Sequence, residues 1–471
     1  MAISREIRIG LILGIMAGLL FSAGYALRLE SAAKMNVRTK ASDSNEQSTE
    51  VASTNPWINE MDFAPVSVLY DTLRSLRSYY VEPITQKEES EMSRSAVKAM
   101  LGAMRDPHTR FLSKELKTVI TDANNGNFHG IGAVLSIKSE EINTTAKEIF
   151  KQSGKNKKPT NEYLIVLSVL PGSPAEKAGI KPGDKIVEVD GKSILSFNPF
   201  HKLNELASNI PEGKEEKDQL KKVWEEEQKR LENGITIIEA EEMLASKDNK
   251  QFKLKIERDN KNINLTVAAA PVVVNSVSSD MLKNNTGYIR VNYLNLKSAE
   301  SFGKELKTLS NKGARSLILD LRNSTGADEK SAIEVAGYFM PNKTFAKLEG
   351  ARKNITELKT PSLAESDIWK KPVIVLVDEY TARMTEVLAQ SFKSNGKARV
   401  IGTKTFGDFA CVSLYNLKDN SAFTLTTGMY LDNNNANYHG KGLPVDMQIA
   451  STGDDDIVLR KALELLSKAG S

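Results

Sequence analysis

At 471 residues the chain exceeds the ~250–300 residues at which a single hydrophobic core stops growing, so two or three domains are expected. Forty per cent hydrophobic and 26% charged residues, with 64 Lys plus Arg against 60 Asp plus Glu, exclude wholesale disorder and a polytopic membrane protein. A net charge of +4 without a basic cluster argues against a nucleic-acid partner. The single cysteine, Cys411, and the scattered His108, His129, His201 and His439 imply neither a disulfide nor a metal or cofactor.

Residues 9–27 carry no charged side chain, follow Arg5 and Arg8, and at ~1.5 Å per residue can cross most of a hydrocarbon core. Segment 1–30 is therefore an export signal or anchor. The run is longer than the ~7–15 residues of a cleavable h-region, which favours an uncleaved membrane helix, although Phe21-Ser22-Ala23 and Gly24-Tyr25-Ala26 would serve as cleavage sites. Arg28, Lys34, Arg38 and Lys40 follow it, so flanking charge alone does not favour moving the bulk outwards. Residues 31–62, rich in Ser, Thr, Asn and Ala, read as a flexible linker. A helical region, 63–125, comes next: Pro65 opens a predicted helix over 65–80 with Val66, Leu69, Leu73 and Leu76 at helical spacing, and a second is predicted over 89–104.

From 126 to 271 the texture is β-rich. Strands are predicted over 130–137, 163–170, 183–191 and 252–257, with a short helix after Pro171-Gly172-Ser173-Pro174. Residues 195–234 interrupt this module with Leu220, Val223, Trp224 and Leu231 at near-helical spacing among Lys and Glu, the pattern of an exposed amphipathic helix. The module resumes over 235–244.

After Pro271 strand and helix alternate. A strand is predicted over 287–293, then a helix over 298–309 with Ala299, Phe302, Leu306 and Leu309 on one face and Gly313 past its end. The runs 316–321 and 372–378 are continuously apolar, as strands covered on both faces are. Each precedes a helix, so 272–471 is an α/β domain. Residues 412–417 and 422–427 pair as a hairpin, and Asp454, Asp455 and Asp456 open the last helix at its positive dipole end.

Several ordered strings carry a family resemblance. Asp106-Pro107-His108-Thr109-Arg110-Phe111-Leu112, Phe128-His129-Gly130-Ile131-Gly132, Leu319-Asp320-Leu321-Arg322-Asn323-Ser324-Thr325-Gly326-Ala327, Gly402-Thr403-Lys404-Thr405-Phe406-Gly407 and His439-Gly440-Lys441-Gly442-Leu443 resemble, in this order, the motifs of the C-terminal processing peptidases, or tail-specific proteases. These are exported serine enzymes. The resemblance covers about 63–450 and implies an α/β protease core (crotonase/ClpP-like) with an inserted PDZ domain, here 126–271, and an N-terminal helical segment.

The same resemblance locates the family's catalytic positions, and their chemistry is missing. The nucleophile position falls on Arg383, within Asp378-Glu379-Tyr380-Thr381-Ala382-Arg383-Met384-Thr385-Glu386, the base position on Asp408, and the supporting glutamine on Val412. Serine attack needs a hydroxyl, and the lysine must be neutral to take its proton. A guanidinium stays protonated and offers no nucleophilic lone pair, while Asp408 puts an anion where a neutral amine is needed. Opposite signs suggest an ion pair across the former centre; two unrelated surface residues are the alternative. Gly326 and Met384 fall on oxyanion-like positions, but Thr325 and Ala327 replace the family's proline and second glycine. Thr381 and Thr385 are the hydroxyls beside Arg383 that a rearranged site would use.

The expectation is a membrane-tethered pseudoprotease in the bacterial inner membrane, its bulk in the periplasm or cell exterior, needing no cofactor. The resemblance implies peptide binding through Phe128, Gly130, Ile131 and Gly132, with polypeptide C-termini, unfolded proteins or an active protease paralogue as partners. An active serine-type endopeptidase with a rearranged site, and an oligomeric scaffold acting through 195–234, are the alternatives. His439 is expected to be structural.

Overall fold

The structure, a computed structural model, describes residues 64–104, 106–141, 160–195, 225, 229–230, 232–247, 250–450 and 456–469. The expected anchor 9–27, the linker 31–62 and most of the 195–234 insertion lie outside them. No helix among the described residues is long and apolar enough to cross a membrane.

The chain divides into two units, residues 1–84 and 85–471. In the first, the predicted helix forms over Ala64–Tyr79. Its apolar period is right, but among the described residues that face is little buried: Val66 and Leu69 are exposed, and Leu73 and Leu76 only half-buried.

The second unit opens with the helix Gln86–Gly102, three residues earlier than its apolar pattern predicts because Thr85 and Glu88 form a capping box. The β-module follows, built on Ala133–Glu141, Thr160–Val169, Lys185–Val189, Lys192–Leu195 and Gln251–Arg258, with helices at Pro174–Lys177 and Ile237–Leu244. The strand expected from residue 130 begins at Ala133, because Gly130 and Gly132 take φ of +104° and +78°, outside the extended region. A strand the sequence analysis omits, Lys261–Ala268, pairs along its whole length with Gln251–Arg258. Its Lys and Asn face solvent, which masks the apolar period.

The core domain centres on a six-stranded sheet in the order Val277–Leu282, Thr286–Val291, Ser316–Asp320, Val373–Val377, Arg399–Gly402, Met447–Gln448. The first pair is antiparallel and the rest parallel. Alternate side chains serve opposite faces. Leu317, Leu319, Val373, Val375 and Val377 join a core with Phe302, Leu306, Val335 and Phe392 from the helices Ser298–Asn311, Glu329–Gly337 and Met384–Ser394. Ile318, Ile374, Leu376 and Ile401 pack on Val458, Ala462 and Leu466 of the last helix, Ile457–Ala469. This is why Leu317–Leu319 and Val373–Val377 are apolar at every position. That helix begins after the expected acidic run; Asp454 and Asp455 are outside the described residues, while Asp456 accepts Leu459 N–H at 2.9 Å and pairs with Arg322 at 2.7 Å.

A second sheet runs Arg110–Leu112, Ala422–Leu431, Thr344–Gly350, Ile355–Lys359, and the expected hairpin adds Ala410–Asn416 to Ala422–Leu431, with Val412 opposite Thr426.

Candidate active site

The buried strand Val373–Val377 feeds a tight loop that ends at Arg383, the residue preceding the helix Met384–Ser394. Arg383 has φ 58° and ψ −134° and makes no side-chain cap. An L-residue there is strained by ~1–3 kcal/mol and persists only where its surroundings over-determine it. They do. The Asp378 carboxyl accepts Asn323 N–H at 3.0 Å and Tyr380 N–H at 3.1 Å, and Thr381 Oγ1 lies 2.8 Å from Leu321 O. Ala382 N–H donates to Ser324 O at 3.0 Å, and Thr385 Oγ1 lies 2.8 Å from the same oxygen. Burial pushes the Asp378 carboxyl up to about 6 despite the Asn323 and Thr381 hydrogen bonds. Both candidate hydroxyls, Thr381 and Thr385, are thus fully buried and engaged with backbone carbonyls.

The β-module presses on this loop from one side: Ile165 and Leu167 pack with Ala382 and Phe406, and a Cβ on Gly183 would stand 2.2 Å from the Tyr380 hydroxyl.

The loop carrying Asp408 is hung on Glu386. Its carboxyl accepts from Thr405 Oγ1, Gly407 N–H and, at 2.8 Å, Asp408 N–H. Gly407 has φ +98°, and a Cβ there would meet Gly442 N at 2.8 Å, which explains how the Thr405–Gly407 and Gly440–Gly442 strings interlock. Burial pushes Glu386 up to about 8, against its three hydrogen bonds and reinforced by Asp408. Burial would also lift Asp408, but His108, by charge and hydrogen bonding, and then Arg383 and His439 hold it down at about 2. Of two neighbouring buried carboxyls, the one facing cations keeps its charge, and the one facing neutral donors gives it up.

Asp408 is 4% exposed; its Oδ1 lies 3.0 Å from His108 Nε2, and its Oδ2 lies 3.4 Å from Arg383 Nε. The structure therefore brings Arg383 and Asp408 into ion-pair contact. The closer partner, however, is His108, which the Asp106–Leu112 string contains but to which no role at this site was assigned. The Arg383 contact is one of charge rather than an aligned hydrogen bond, since Oδ2 has no hydrogen-bond partner among the described residues. Arg383 is 29% exposed. His439, whose ring centroid is 6.3 Å from that of His108, accepts Phe409 N–H on Nδ1 at 3.3 Å, and burial lowers its pKa. Asp106 holds the other end, accepting His108 N–H at 3.0 Å and Thr109 Oγ1 at 2.6 Å. No cluster among the described residues could hold a metal.

The remaining candidates separate. Gly326, at φ +145°, lies flat on the neighbouring strand: a Cβ would stand 2.2 Å from Leu294 O. Met384 is buried in the first turn of its helix. Val412 is 41% exposed on the hairpin, with no recorded contact to Arg383 or Asp408. Phe128 meets Tyr293 edge-on, with centroids 4.8 Å apart. Ile131 donates to Leu244 O at 3.2 Å and accepts from Ala175 N at 2.8 Å. A Cβ on Gly130 or Gly132 would meet Leu244 O or Ser173 Cβ at 2.3 Å. These glycines let two helices close on the sheet, and the open backbone edge belongs to the next strand, Ala133–Glu141, which pairs on one side only.

The family model for peptidase family S41 matches residues 285–449, and a PDZ domain model matches 165–207. A probable CtpA-like serine protease of Staphylococcus haemolyticus is 26% identical over 387 residues, 82% of this chain and 64% of the relative. One of the same description from Staphylococcus aureus (strain MSSA476) is 26% identical over 394 residues, 83% of this chain. The chain thus spans just under two thirds of the length of these relatives, 64% and 66%. Among solved structures, a photosystem II D1 C-terminal processing protease superposes with a TM-score of 0.56 at 20% identity, over 85% of this chain and 90% of that one, a likeness of fold.

Proposed function

We propose that this chain is a member of the C-terminal processing peptidases of family S41, whose model matches residues 285–449, and that within that family it binds polypeptide chains without cutting them. The observation that carries this reading is the occupancy of the elbow: a guanidinium stands where the family's nucleophile falls, with a buried carboxylate 3.4 Å away where its base falls. Neither group can form an acyl-enzyme, because one has no lone pair to attack with and the other has no hydroxyl proton to take.

Binding is assigned to the PDZ region. Ala133–Glu141 is an edge strand with Ile237–Leu244 nearby in the same small core, and a peptide would add to that edge with its C-terminal carboxylate on backbone N–H groups. Polypeptide C-termini, unfolded proteins and an active protease paralogue are the partners this edge suits. The apolar run 9–27 supports tethering to a bacterial inner membrane with the folded part in the periplasm or outside the cell.

The test is paired hydrolysis and binding on the purified chain. Unfolded protein and tailed peptides should stay intact, while a peptide with a free apolar C-terminus binds and its amide binds distinctly worse. Turnover abolished by Thr381→Ala or Thr385→Ala would replace this reading with a rearranged endopeptidase.

A further inference from the structure

The hairpin strand Ala410–Asn416 is an outer edge of the second sheet: it pairs with Ala422–Leu431 and with no other described strand. Its sequence, Ala410-Cys411-Val412-Ser413-Leu414-Tyr415-Asn416, holds no charge and no proline. Natural edges are guarded by lysine, proline, bulges or brevity. Here the one irregularity is a register shift between Cys411 and Val412, which leaves 412–416 regular and unguarded. Val412, Leu414 and Tyr415 are 41%, 43% and 42% exposed.

The direction of the free backbone groups follows from the turn. Leu417 N–H donates to Ser421 O at 2.9 Å, across the hairpin. In an antiparallel pair alternate residues face the partner strand, so Val412, Leu414 and Asn416 turn their N–H and C=O groups outward. None of these N–H groups has a hydrogen-bond partner among the described residues. The side chains add a second element: Phe111 lies opposite Phe423, and Phe423 opposite Tyr415, whose rings stack 5.1 Å apart. This aromatic row crosses three strands and stops at an exposed edge.

We propose that this edge pairs antiparallel with the same edge of a second copy of the chain, about a two-fold axis at Leu414. The segment is complementary to itself in that register. Leu414 falls opposite Leu414, Ser413 opposite Tyr415, and Val412 opposite Asn416; no like charges meet, and the outward groups of Leu414 satisfy one another. Tyr415 of one copy then lies diagonal to Tyr415 of the other, on the same face and within reach of aromatic side chains. A regular stretch of five residues spans roughly 17 Å at ~3.3 Å per residue, at the small end of specific interfaces, so the dimer is reversible and concentration-dependent.

Sedimentation equilibrium of the full-length chain, purified in detergent, tests this alongside the variant Leu414→Lys, which sets like charges face to face without touching the hairpin's inner hydrogen bonds. The expected result is a monomer–dimer equilibrium that Leu414→Lys weakens at least about tenfold, with the thermal transition of the variant unchanged. In a Cys411→Ser background, Leu414→Cys should also cross-link to itself on mild oxidation, since directly opposed residues lie ~5.5 Å apart at Cα, within disulfide reach. Val412→Cys, opposite Asn416 in this register, should not. A chain that stays monomeric, a dimer that Leu414→Lys leaves intact, or equal cross-linking at 412 and 414 would overturn the proposal.

Discussion

Asp408 has two cationic neighbours, and the geometry ranks them. At an effective dielectric constant of ~20, unit charges at 3.0 Å and 3.4 Å attract by about 5.5 and 4.9 kcal/mol before desolvation is counted, so distance alone hardly separates His108 from Arg383. Exposure and alignment do. His108 is 17% exposed and hydrogen-bonds the carboxylate, an interaction worth ~1.5–3 kcal/mol net. Arg383 is 29% exposed and unaligned, nearer the ~0.5–1 kcal/mol of a half-solvated pair. Double-mutant cycles by urea unfolding, with His108→Ala, Arg383→Ala, Asp408→Ala and the two doubles, should return those couplings in that order. Loss of His108 should also cost more than loss of Arg383, because it strands more of a buried charge. The reverse order, or additivity within ~0.3 kcal/mol for both pairs, would refute the reasoning.

Three further outcomes follow from the same site. Asp408 is held below its ordinary 3.8, at about 2, so its contribution, on the order of 2 kcal/mol, is fully present above pH 4 and lost as pH falls through 2; Asp408→Asn should flatten acid unfolding in that window. Glu386 runs the other way: raised from 4.5 to about 8, it makes the fold less stable as pH rises across that range, and Glu386→Gln should remove the slope in a pH series of unfolding midpoints. At the strained elbow Arg383→Gly should be more stable than Arg383→Ala by about 1 kcal/mol, and equal unfolding free energies would show that φ 58° carries no strain.

How far the sequence carries depends on whether a signal is local. The apolar stretches Leu317–Leu319 and Val373–Val377 announce strands covered on both faces, and Ala299, Phe302, Leu306 and Leu309 are all buried as their spacing requires. The pairing of Arg383 with Asp408 could be read from motif register and charge sign. His108 could not, since it reaches Asp408 across 300 residues through a loop whose position is set by the strand Arg110–Leu112 joining Ala422–Leu431. Glu386 was visible three residues after Arg383, but nothing local says that its carboxyl carries the Thr405–Asp408 loop. The helix Ala64–Tyr79 marks the opposite failure: periodicity identified the element correctly and said nothing about whether its apolar face is covered.

The contorted backbone at Arg383 is held without help from the side chain that occupies it. Its shape is dictated by Asn323, Leu321, Ser324 and Asp378, through bonds to positions 380, 381, 382 and 385, and none of them involves the side chain at 383. Architecture and chemistry are therefore separately heritable at this position. The side chain at 383 can therefore be exchanged by substitution without dismantling the bonds that set the loop's backbone.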